Sequence, residues 1–435
     1  MEERDIRKKI RKILLETYLK EEVSKEKRYK VYLPVPEDVE KIKNDLKSFG
    51  YECYMVGGCT RDAILGVTPK DYDLVTNALP DKTIEILKGK DYVKYILETG
   101  KKFGIVNVIT YNDEYEIASY REDMSKGRHP DVKLNATIES DSNRRDLTFN
   151  ALYYDIDNQE VIDFTGGFED LKNREINTVG DPNERFREDA LRLIRIIRFY
   201  CRLNSAKFKE DTIEAIKNNL HLLSTISSER IRDEFLKGIK GAKSVVKYLD
   251  LLNEFGFYKY IFGNLNVDAK SFVEEKHPII IVANILKNNG IKEIVKELNF
   301  RKYGVDETNC FIFLISLLNL NENTASAIKK FYLQKVKAAK PKINGNIYSI
   351  TEEVMNKFSL LNNIDKIKII NFLKLANEFR QPSELLKAMG YQDKDLGIAI
   401  ERLEKEFYKN PERVKKAIDS GDKEEIKKII FIKNN

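Results

Sequence analysis

The rhythm of apolar and polar positions changes near residue 165. From 51 to about 162 it is mostly that of strands. YECYMVGG, KDYDLVT, KKFGIVNVITY, EYEIASYR and NALYYDID are rich in β-branched and aromatic residues. Helical stretches such as LPDKTIEILKG fall between them, which predicts an α/β or α+β unit. Beyond it, NERFREDALRLIRIIRFYCRL, SSERIRDEFLKGI, DETNCFIFLISLLNL and KDLGIAIERLEKEF carry apolar residues at helical spacing, so the rest of the chain reads as all-helical. Ahead of the strands, residues 1–33 read as a charged helical extension broken by Pro34 and Pro36. EDVEKIKNDLKSFG then predicts a short helix stopped by Gly50. No repeat of fixed period and no low-complexity tract interrupts this plan.

At 435 residues the chain has room for two to four compact units. Its 34% charged and 42% hydrophobic residues suit a globular protein. The formal net charge of +6 is mild for this length, so any polyanion-binding surface must come from clustering. Cys53, Cys59, Cys201 and Cys310 lack CxxC spacing, which predicts neither a zinc site nor a disulfide framework and fits a reducing cytosol. His129, His221 and His277 are too dispersed for a multi-histidine metal centre. No segment reaches the roughly 18 apolar residues of a membrane span, and the N-terminus lacks the apolar run of a signal peptide. These features predict a cytoplasmic protein with no obligate protein partner evident.

The chemistry concentrates in YMVGGCTRDAILGVTPKDYDLVTN, residues 54–77. On an extended strand Asp71 and Asp73 project to one face, and two like charges so close call for a cation. Divalent metal ions bridging carboxylates and triphosphate oxygens meet that need. Gly57 and Gly58 precede a helix start and let backbone N–H groups approach phosphate, with Arg61 one step into that helix. A DxD alone is weak, since most such pairs are solvated turns. GGxxRD followed nine residues later by DxD is far more specific.

That combination resembles motif A of the class II tRNA nucleotidyltransferases, which comprise CCA-adding enzymes and bacterial poly(A) polymerases and share a head with the polymerase-beta type of nucleotidyltransferase. The resemblance continues in order. EIASYR (116–121) is similar to the strand carrying a third carboxylate, here Glu116, against the plainer reading of an exposed acid on an edge strand. RRDLTFNALYYD (144–155) resembles motif B, which implies contacts from Arg144, Arg145 and Asp146 to triphosphate and ribose, with Asn150 in the same element. Asp146 stands as the other candidate for the third metal ligand. The family motif likewise implies nucleotide contacts for Asp62.

GDPNERFREDALRLIRIIRF (180–199) is similar to the family's EDxxR element. On one helix, Asp189 and Arg192 at i and i+3 share a face, as do Glu188 and Arg192. A carboxylate accepting from an exocyclic amine and an arginine donating to the adjacent ring nitrogen read cytosine or adenine. Uracil and guanine present the opposite polarity at both positions. The resemblance extends the nucleotide-facing set to Arg195 and Arg198. SSERIRDEFLKGI (227–239) resembles the next motif, with Ser227 or Ser228 capping its helix and Glu229, Arg230 and Glu234 as bracing ion pairs.

KKFYLQKVKAAKPK (329–342) holds six lysines and no acid. Lys329, Lys330, Lys335, Lys337 and Lys340 are candidate phosphate contacts, or an ordinary lysine-rich face. The family plan divides the chain into an extension (1–33), a nucleotidyltransferase head (34–162), a neck with the nucleotide-selecting element (163–240), a body (241–320) and a tRNA-binding tail (321–435). The implied activity is addition of CCA to tRNA from CTP and ATP with two Mg2+ ions. REDMSKGRHPDVKL (121–134) matches the flexible loop of complete enzymes, whereas enzymes that stop after two cytidines lack parts of it. The poly(A) pattern is met only partly by ETGKKFGIVNV, where Val106 stands at the His/Gln position. An inactive RNA-binding relative is the reading from another class. No GxxxxGK[ST] loop supports a P-loop ATPase.

Overall fold

The computed structural model describes residues 26–124, 132–203, 206–269, 277–318, 375 and 378–431. The first 25 residues, the centre of the 121–134 loop and the five candidate lysines between 329 and 340 lie outside the described residues. The chain divides into two compact units, 1–261 and 262–435.

The first unit is built on an eight-stranded sheet in the order β1-β10-β9-β2-β3-β6-β5-β4. The strands are β1 (Lys27–Lys30), β2 (Cys53–Val56), β3 (Asp73–Thr76), β4 (Val93–Leu97), β5 (Ile105–Thr110), β6 (Glu114–Ser119), β9 (Leu152–Asp155) and β10 (Glu160–Asp163), with a small β7–β8 hairpin (Arg121–Asp123, Val132–Leu134) beside them. All neighbours in the large sheet run antiparallel except β3 and β6, which are parallel. Val56, Val75, Tyr120, Tyr153, Ile162 and Phe164 form a buried cluster on one face of the sheet, against which Ile138 of the helix Ile138–Asn143 packs. Alternate residues such as Met55, Leu74 and Ile117 are buried on the other.

Residues 27–30 correct the helical reading of 1–33. They form the edge strand β1, because β10 offers an unpaired ladder and Tyr29 stacks on Phe168 with ring centroids 4.0 Å apart. The helical pattern after 165 holds for most of the described residues, with two-residue strands β11 (Glu175–Ile176) and β12 (Lys207–Phe208) as exceptions. The helix Arg192–Arg202 buries Leu193, Ile194, Ile196, Ile197 and Phe199, and packs on the helix Ser228–Gly241, which Ser227 caps.

In the second unit the helices Pro278–Leu286, Ile291–Phe300 and Val305–Leu318 follow one another. The helices Ser383–Ala388, Asp393–Phe407, Pro411–Asp419 and Lys423–Phe431 enclose a core of Leu386, Leu403, Phe407, Val414, Ile426 and Ile429. No helix among the described residues is long and apolar enough to cross a membrane.

Candidate active site

The parallel β3–β6 register sets Asp73 directly opposite Glu116. Directly paired residues point to one side of a sheet, the side bearing Val75 and Tyr120. Asp71 lies in a bend before β3, exposed, rather than on the strand itself. Partial burial raises the Asp73 carboxyl above its usual range. The Arg145 charge opposes that rise and the Asp71 charge adds to it. Glu116 is also raised, by desolvation and by the charge of Asp73, against Arg121 and Arg145. Asp73 thus feels the charge of Asp71, and Glu116 that of Asp73. Among the described residues no group of three or more His, Cys, Asp or Glu side chains closes to metal-holding distance.

Gly57 ends β2 at φ +75° and ψ −121°, opening the helix Gly58–Ile64. A Cβ there would sit 3.6 Å from Nη1 of Arg145. Behind it stands a fully buried residue, Asp141, not marked by any sequence motif. It accepts from Arg144 Nη2 at 2.7 Å, Arg145 Nη2 at 2.9 Å and the Tyr153 hydroxyl at 2.7 Å. Burial alone would raise its carboxyl; Arg145 and Arg144 outweigh that and hold it down to about 2. The signal was its i, i+3 and i, i+4 spacing to two arginines, which any surface helix can show.

Asp146 is held well below the usual range. Burial opposes this, but Arg195 donates to Oδ2 at 2.8 and 2.6 Å, and Asn150 Nδ2 and the Leu147 N–H donate to Oδ1. It thus anchors the helix Arg192–Arg202 to the segment 144–155. Arg61 is turned inward, only 3% exposed, donating to Asn150 Oδ1 at 2.6 Å and to Asp62. Asp62 also accepts from Arg202 at 2.6 Å, a partner the motifs did not single out.

Arg192, Arg195, Arg198 and Arg202 recur at three- and four-residue steps along one helix. The guanidiniums of Arg61, Arg195 and Arg198 lie 5.1, 5.7 and 4.3 Å from the Phe199 ring centroid. Arg198 also donates to the buried Glu234.

The EDxxR element departs from the single helix read in the sequence. The helix Pro182–Glu188 ends at Asp189, which is extended (φ −144°, ψ 104°), and a new helix begins at Arg192. The break follows from local bonding. Asp189 Oδ1 accepts from the Leu191 N–H at 3.1 Å and Oδ2 from Arg230 at 3.0 Å, which favours a turn over helix. Arg192 donates through Nη1 to Glu188 at 2.7 Å and through Nη2 to the Arg144 carbonyl at 2.9 Å.

Residues 53–177 match the model of the "Poly A polymerase head domain", and 207–268 match the "Probable RNA and SrmB- binding site of polymerase A". The chain is 37% identical over 248 residues to a CCA-adding enzyme of Ligilactobacillus salivarius, covering 55% of this chain and 59% of that one. It is 32% identical over 233 residues to a poly(A) polymerase I of Haemophilus influenzae, covering 51% and 50%. The chain therefore spans between half and three-fifths of the length of these curated relatives. The Bacillus stearothermophilus CCA-adding enzyme crystallised with CTP superposes with a TM-score of 0.66 at 24% identity, over 90% of this chain and 98% of that one, a likeness of fold. Residues 53–177 thus match a poly A polymerase head domain in sequence, and nearly the whole chain shares its fold with that solved CCA-adding enzyme.

Proposed function

We propose that this protein adds CCA to the 3′ end of tRNA without a nucleic-acid template, joining CTP, CTP and ATP in turn and releasing pyrophosphate. The observation that carries the reading is the β3–β6 register, which brings Asp73 and Glu116 to one face with Asp71 adjacent and Arg145 within range of both. Asp71, Asp73 and Glu116 would hold two Mg2+ ions. The donors are hard oxygen ligands suited to that ion, and a cation would offset both the burial that raises Asp73 and the smaller push from the Asp71 charge. Held there, the ions would supply the positive charge that favours deprotonation of the attacking 3′ hydroxyl and departure of pyrophosphate.

The chain's own groups do the positioning. Gly57 leaves backbone open beside Arg145, so a triphosphate can lie against both. Arg144 and Arg145 present guanidinium edges to phosphate oxygens. Asp146 already accepts four bonds, from Arg195, Asn150 and the Leu147 N–H, which fill its about four acceptor sites, so its part is to hold Arg195 and Asn150 in place beside the nucleotide. Asp189 accepts from the base's exocyclic amine while Arg192 donates to its ring nitrogen. No covalent intermediate is required, and burial holds the nearby Cys59 thiol up at about 11, a poor nucleophile. The helical body and tail would carry the tRNA, with the 329–340 lysines on phosphates, in a cytoplasmic setting.

The test uses a tRNA transcript ending before CCA, with magnesium and CTP, ATP or both, resolved to single nucleotides. Three additions that need both nucleotides, lost in Asp71→Ala/Asp73→Ala, are expected. The Haemophilus relative favours one competitor, so long adenosine tracts from ATP alone would replace this reading with poly(A) synthesis. Arrest after two cytidines would make it a CC-adding enzyme.

A further inference from the structure

Asp141 is a fully buried carboxylate near the site, and it carries two arginines at once. Its Oδ1 accepts from Arg144 Nε at 3.0 Å and Nη2 at 2.7 Å. Its Oδ2 accepts from Arg145 Nε at 3.2 Å and Nη2 at 2.9 Å, and from the Tyr153 hydroxyl at 2.7 Å. That same hydroxyl accepts from Arg145 Nε at 3.2 Å, and the Arg145 guanidinium lies 5.3 Å from the Tyr153 ring centroid. The plane of Arg145 is therefore fixed from three sides, with Nη1 on the Asn150 carbonyl beside Gly57.

The Arg144 end of this cluster leads elsewhere. Its carbonyl accepts from Nη2 of Arg192, whose Nη1 is held by Glu188. Arg192 thus meets the backbone of Arg144, whose side chain is held by Asp141, and Asp141 in turn holds Arg145, so the covalent frame of Arg144 connects the two sets of charge-assisted bonds. A buried network of this kind moves as a unit, since freeing any one charge from its partners is costly.

We infer that Asp141, seconded by Tyr153, is a positioning residue that ties Arg192 to Arg145, so that base choice and triphosphate alignment are set together. The inference rests on the proposed nucleotidyl transfer. A displaced base tilts Arg192 and pulls on the Arg144 backbone. Through Asp141 this turns Arg145 off the line of the phosphates. A purely structural role would affect stability and leave nucleotide preference untouched.

The test compares Asp141→Asn and Tyr153→Phe in the full chain, measuring KM and kcat for CTP and the preference for CTP over UTP on a tRNA primer. Both should raise KM for CTP and erode the preference, by about tenfold or more for Asp141→Asn and severalfold for Tyr153→Phe, with KM for tRNA unchanged. Tyr153→Phe removes one oxygen from a buried ring and keeps the test decisive if Asp141→Asn fails to fold. Combining Tyr153→Phe with Arg192→Lys should give a non-additive effect on kcat/KM. Unchanged preference in folded Tyr153→Phe, or strict additivity with Arg192→Lys, overturns the inference. Wild-type incorporation is measured first. Its absence would overturn the functional reading itself, and this inference with it.

Discussion

At Gly57 the backbone adopts a conformation that any side chain would strain, and the missing Cβ leaves room beside Arg145. Gly57→Ala is expected to cost about 1–3 kcal/mol, seen as a lower thermal midpoint, together with weaker CTP binding. Asp73 makes the opposite trade. Its folded carboxyl is raised above the ordinary 3.8, so the folded chain keeps its proton longer than the unfolded chain does. This group therefore costs stability as pH rises from 3.8 through its folded value, and the loss persists at neutrality. In metal-free buffer Asp73→Asn should raise the melting temperature at pH 7 relative to wild type, with the gap closing toward pH 3.5, while nucleotide incorporation disappears. A variant that melts lower than wild type at pH 7 would contradict this sign.

Among the elements, the helix Arg192–Arg202 binds Asp62, Asp146 and Glu234 through an arginine face. Arg198 there depends on Glu234, which is 3% exposed. Glu234→Ala should cost about 3–5 kcal/mol, read as a lower denaturant midpoint at constant slope, because it leaves a guanidinium without its counter-charge; Glu234→Gln should cost less. This part of the fold was only partly legible. Apolar spacing identified the helix, and a motif identified Asp189 and Arg192. The break between them could not be read, since it arises from the Leu191 N–H on one Asp189 oxygen and from Arg230, 41 positions away, on the other. Strands β2, β3, β5 and β6 were legible from composition. Strand β1 was not, because KRYK alternates too little for a strand pattern and pairs only where β10 exists to receive it. Asp141 was invisible for a similar reason. Nothing in a sequence tells that a helical acid faces two arginines inward.

On the scale of the whole molecule, the division at residue 261 predicts that 1–261 folds by itself. Expressed alone, it should melt cooperatively and retain CTP binding while losing most affinity for tRNA, measured by calorimetry and gel shift; a fragment without a cooperative transition would refute the division. The order of motifs made the head readable at this scale, whereas the helical second unit offered only periodicity, which many bundles share.

The β3–β6 pairing has a consequence for how the molecule tolerates change. Everything from Asn77 to Asp113, an α-helix, a short 3-10 helix and two strands, is an excursion that returns the chain to lie beside its starting point. Extra loop residues at its turns leave the two carboxylates facing one another. One residue inserted within β6 ahead of Glu116 would instead swing that side chain to the far face and turn the buried Ile117 out of the core with it. Chemistry and stability would then be lost together, so the catalytic centre is guarded by a counting rule that the core enforces.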